Sequence, residues 1–143
     1  MCNKNGPRIP SSDEILIRQV NPAWLDDGEP SSQSFYPWRD IDEDCMSVDR
    51  STLTTAADAF LLFTSPRPQG FEQPSAGAWG LTVAEVEADG LSAWEDPVAA
   101  TAETPPDAAH AVVEFAPLTK KQQKSIGRKL KAKAIARGRL HPP

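Results

Sequence analysis

The sequence predicts an α+β fold: a small, mostly antiparallel sheet with two main helices, one short helix and Pro-rich loops. Three observations carry that reading. Short β-branched runs alternate with segments of helical spacing, but without the regular strand–helix rhythm of a parallel sheet. Each helical segment is preceded by a Ser or Thr suited to cap it. The 14 prolines of the 143-residue chain fall outside the periodic segments, where a missing N–H does no harm.

The elements follow in order. Residues 1–12 are polar, carry Pro7 and Pro10, and read as a flexible tail. Glu14 to Val20 reads as a first strand, ended by Asn21-Pro22. Arg18 within it is expected at a rim, paired with a carboxylate. Asn21 to Pro30 is turn-rich, and Ser31 to Trp38 reads as a short extended piece with Phe35 facing inward. An acidic turn, Asp40 to Asp44, leads into a short strand over Cys45 to Asp49, where Met46 and Val48 alternate with polar neighbours.

Ser51 reads as the N-cap of a helix from Thr52 to Phe63. Leu53, Ala56, Ala57, Phe60 and Leu61 share one face at helical spacing, and Pro66 and Pro68 stop the helix. Residues 64–77 are a loop. Ala78 to Val83 reads as a strand that runs into a short helix over Val83 to Ala88. The helix is opened by a Thr82–Glu85 capping box and closed by Asp89-Gly90. Leu91 to Trp94 reads as extended, Asp96 to Asp107 as a second loop, and His110 to Phe115 as a strand. A second capping box, Thr119 and Gln122, opens a C-terminal helix that reaches Arg137, with Gly138 beyond it.

The formal charge of −5 conceals a division. Residues 118–143 hold 9 of the 15 basic side chains and no acid, a charge of +9. The remaining 6 basic and 20 acidic residues give −14. The chain therefore divides into the tail, an acidic body over residues 13–117, and a basic helix over 118–143 that belongs to the same domain. At ~100° per residue, Ile126, Leu130 and Ala134 share a narrow arc with Thr119, Gln123 and Gly127. A thin stripe can dock. Lys120, Lys121, Lys124, Arg128, Lys129, Lys131, Lys133 and Arg137 form a basic surface around it. Like charges at i, i+4 repel by a few tenths of a kcal/mol per pair, so something must offset them: the acidic body, an acidic partner or nucleic acid.

A second candidate surface lies in the body. Trp24, Phe35, Tyr36 and Trp38, flanked by Asp40, Asp42 and Asp44, suggest an acidic-aromatic patch for a basic protein partner. The other two tryptophans, Trp79 and Trp94, read as packing residues.

Several chemistries find no motif. Phosphate-binding glycine loops and a G-x-S-x-G elbow are absent, and no cofactor is expected. His110 and His141 do not stand at zinc-ligand spacing with either cysteine. The run Asp40 to Asp44 lacks the Gly and the distal Glu of a calcium loop, so no metal is expected. The longest apolar run, Ala59 to Phe63, is too short to span a membrane. Cys2 reads as an incidental exposed thiol and Cys45 as a small half-buried residue. So few cysteines argue against a disulfide framework. With no apolar segment near Met1, a cytoplasmic location is expected.

The expected function is that of a small protein-interaction module, such as an immunity protein, an inhibitor or an accessory subunit. One alternative is a nucleic-acid-binding accessory protein that uses the basic helix. The other is a small enzyme with a pocket lined by Arg18, a Ser from residues 31–34 and a carboxylate.

Overall fold

Five strands of the computed structural model, which describes residues 2–143, pair in the order β5-β1-β4-β7-β6. They are β1 (Ile15–Gln19), β4 (Cys45–Arg50), β5 (Ala78–Thr82), β6 (Ser92–Glu95) and β7 (His110–Glu114). Every pairing in the sheet is antiparallel. The helices are α1 (Ala56–Thr64), α2 (Val83–Ala88) and α3 (Lys120–Arg137). The α+β class and the mostly antiparallel sheet follow the sequence expectation.

One face of the sheet is closed. Leu16, Val20, Met46, Val48, Leu81, Ala111 and Val113 join Val86 of α2 and Leu130 and Ala134 of α3 in one core with Phe35, Tyr36 and Phe115. Two capping boxes set the helices in place as predicted. Thr82 accepts from the Glu85 N–H at 3.0 Å and Thr119 from the Gln122 N–H at 3.2 Å. The docking stripe of α3 is also as predicted: Gln123, Gly127, Leu130 and Ala134 are buried, and Ile126 packs against the core. Gly127 lets the helix come close. A Cβ there would lie 2.6 Å from Cδ1 of Tyr36 and 3.1 Å from the Ser32 carbonyl oxygen.

Four expectations need correction. The segment read as a flexible tail is docked: the Ile9 N–H donates to the Ala93 carbonyl at 2.8 Å, and Ile9 is buried. Cys2, read as an exposed thiol, is buried and forms a disulfide with Cys45, 43 residues away. Helix α1 starts four residues later than expected, because Thr55 rather than Ser51 caps it by accepting from the Asp58 N–H. Ser51 Oγ instead accepts from the Ile15 N–H at 3.0 Å. The buried face of α1 is centred on Ala59, while Leu53 and Leu61 are exposed. The turn-rich stretch from Asn21 contains a small hairpin of β2 (Leu25–Asp26) and β3 (Glu29–Pro30). Asp27 and Gly28, both at positive φ, form its turn.

The opposite face is only partly covered. Helix α1 lies over β1, where Ile17, Ala59 and Ala78 form a small apolar cluster with Ile15, Ala56 and Leu140. The N-terminal segment lies against β6 and β7. There Lys4 pairs with Glu114 at 2.6 Å and stands over the Trp94 ring. Between these two covers the sheet carries a cleft. No helix among the described residues is long and apolar enough to cross a membrane.

Candidate functional site

The cleft has a volume of about 430 Å³, within the ~300–1,000 Å³ usual for small-ligand sites. Strand alternation supplies its floor. Asp49 stands opposite Ile17 on one side and His110 on the other, so the three side chains share the open face. Leu62 and Phe63 of α1 form one wall, and Val98, Thr104, Pro105 and Asp107 from the second loop form the other. Asp107 brings a second carboxyl group beside Asp49. Burial, then the neighbouring Asp107 carboxyl, push the Asp49 carboxyl up to about 8. Asp49 Oδ1 is buried and has no hydrogen-bond partner among the described residues. His110 is pinned through Nδ1, which lies 2.8 Å from the Asp96 carbonyl oxygen and 3.1 Å from its carboxylate.

Arg18 is placed by a break in the sheet. The β1–β4 ladder pairs Leu16 with Arg50 and Ile17 with Asp49, and goes no further. Beyond it the Arg18 guanidinium donates to two backbone carbonyls, Nε to Ser34 of the 3-10 turn Ser32–Phe35 at 2.8 Å and Nη1 to Ser47 of β4 at 3.0 Å. The expected carboxylate partner is thus replaced by backbone carbonyls. Burial lowers its pKa to about 10, with Asp42 pulling it up and Arg39 down, so it stays charged at neutral pH. None of Ser31, Ser32 or Ser34 lines the cleft. The expected pocket of Arg18, serine and carboxylate is replaced by one of Arg18, Asp49, Asp107 and His110.

The acidic-aromatic patch does not assemble as expected. Phe35 and Tyr36 are core residues, because the short 3-10 turn Ser32–Phe35 packs beneath α3. Trp24 and Trp38 remain near the surface beside the cleft, in an edge-to-face pair with centroids 6.4 Å apart. The Arg18 and Arg39 guanidinium carbons lie 5.4 and 5.9 Å from the Trp24 ring centroid. Asp42 is paired with Arg39 at 2.8 Å. Asp44 accepts from Gln123 at 2.8 Å, with Lys120 at 3.6 Å. Asp40, alone of the three, is exposed and makes no side-chain hydrogen bond or ion pair among the described residues.

The basic helix separates into two sets. Lys120, Lys133 and Arg137 tether α3 to the body, on Asp44, Asp89 and Glu85 respectively. Burial alone would raise the Glu85 carboxyl, but hydrogen bonds from Arg137 and Thr82 outweigh it and hold the group below its usual range. Lys121, Lys124, Arg128, Lys129 and Lys131 make no ion pair among the described residues. Four of these, Lys121, Lys124, Arg128 and Lys131, follow one another at steps of three, four and three residues. They therefore line one side of the helix for about 15 Å.

Sequence reading missed Asp49, Asp107, His110 and Gln19 as a group. The available signal was a polar residue at a position where alternation along an apolar strand points it to the Ile15–Ile17 side. No protein-family model matches the chain, and no curated protein or solved structure shows significant similarity to it.

Proposed function

We propose that the protein acts by binding another protein, presenting the stripe of Lys121, Lys124, Arg128 and Lys131 to an acidic surface. The observation that carries this is the contrast within α3. Three of its cations are held by carboxylates of the body, and the stripe is left without any. Repulsion along the stripe is offset only when counter-charge arrives from outside. An acidic protein suits it better than a long nucleic acid. The rest of the chain carries 20 acidic against 6 basic residues and repels a polyanion that runs past the helix.

The test is affinity capture from the source cell with the wild-type chain and with a variant carrying Lys121→Glu, Lys124→Glu, Arg128→Glu and Lys131→Glu. The expected result is a protein retained at low salt, released at high salt, unaffected by nuclease and lost with the variant. Retention abolished by nuclease assigns the stripe to nucleic acid instead. Equal capture by the variant removes the stripe from the contact.

A further inference from the structure

The open-face cleft carries chemistry that the α3 stripe does not use. We infer that it binds a small organic cation, an alkyl guanidinium or ammonium compound, with the charged group seated on the Asp49–Asp107 carboxyl pair. The sign of the ligand follows from which groups are already engaged. Arg18 donates to two backbone carbonyls, Arg39 to Asp42, and Arg67 to the carbonyls of Leu62 and Ser65 and to the Ser65 hydroxyl. Each arginine of the cleft is committed to the protein. Asp49 Oδ1, by contrast, is a buried acceptor with no donor. An unmet buried acceptor is destabilising, and a ligand N–H removes that penalty.

A second buried group asks for an acceptor at the ligand's other end. Gln19 also lines the cleft and is only 7% exposed. Its Oε1 accepts from Ser75 at 2.8 Å, whereas Nε2 has no partner. A ligand that gives an N–H to Asp49 and offers an acceptor to Gln19 satisfies both. Ile17, Leu62, Phe63 and Pro105 supply apolar contact for the hydrocarbon between. The pair is not arranged as a metal site, since no group of three His, Cys, Asp or Glu suited to a metal ion occurs among the described residues.

Proton balance makes the inference testable. The groups facing Asp49 are Asp107 from the loop and His110 from β7, with Arg18, Arg39, Asp42, Arg67 and Glu72 also in the cleft. At neutral pH the Asp49 carboxyl is protonated, its pKa being about 8. A cation on the pair favours the ionised form, so the Asp49 proton leaves to solvent as the cation enters. Binding therefore tightens as pH rises toward about 8.

The experiment is calorimetric titration of the full chain with 4-guanidinobutanamide, whose guanidinium donates and whose amide carbonyl accepts, beside glutarate as an anion of similar length. Buffers of different ionisation enthalpy are used to count protons. The guanidinium amide is expected to bind with release of a proton, and glutarate not to bind. Asp49→Asn and Asp107→Asn, each checked for folding by circular dichroism, are expected to weaken its binding by about tenfold or more. The second variant serves if the first does not fold. Absence of binding of the guanidinium amide to the wild-type chain at millimolar concentration, equal affinity in a folded variant, or preference for glutarate overturns the inference.

Discussion

On one face of the sheet, Leu16, Met46, Leu81, Val113 and Leu130 meet with no charged group among them. On the other, Asp49, His110 and Gln19 stand where the same strand alternation puts them, under a helix and loops that leave about 430 Å³ open. The strands are shared, so the difference comes from what covers each face. Helix α3 brings an apolar stripe and a glycine that permits close approach. Helix α1 and the long loops bring small residues, prolines and a carboxyl group. The closed face accounts for stability. Both faces hold buried polar atoms without partners, but only on the open face, at Asp49 and Gln19, do they border a cleft that a ligand can enter.

That contrast can be broken in order of effect. Leu130→Ala on the closed face is expected to lower stability by about 2–5 kcal/mol, read as the midpoint of urea unfolding. A small loss there would mean that α3 is loosely docked. Removing the disulfide by Cys2→Ser comes next. It closes a loop of 43 residues, so its loss should cost about 2–4 kcal/mol and free the N-terminal segment, seen as faster amide exchange at Ile9. Gly127→Ala should cost about 1–3 kcal/mol. The new methyl meets Tyr36, and the gain in helix propensity, about 1 kcal/mol, only partly offsets that.

Asp49→Asn should do the opposite. In the unfolded chain this carboxyl titrates near ~3.9, and in the fold near about 8. The folded state therefore holds the extra proton between those values, and stability falls as pH rises through that window. The amide has no proton to lose. The variant should be more stable than wild type near pH 8 and should lose that part of the pH slope. Destabilisation at pH 8 would place Asp49 among the supports of the fold.

What could be read from sequence was local. The capping boxes at Thr82 and Thr119 need only neighbours three residues away, and both formed. The α3 stripe follows from helical period alone. The errors arose where distant segments meet. Cys2 pairs with Cys45 because the N-terminal segment docks along β6, which its polar composition did not reveal. Phe35 and Tyr36 entered the core because a 3-10 turn tucks under α3. Asp49 found Asp107 at a sequence separation of 58, a contact that no local spacing encodes. Leu53 and Leu61 share a helical face only if the helix starts at Thr52, four residues before α1 begins.

The most direct measurement is the titration of the Asp49 side-chain carboxyl followed by carbon-13 NMR. The expected midpoint is about 8. A midpoint in the ordinary carboxylate range near ~4 would contradict a buried carboxyl pair waiting for a donor on the open face.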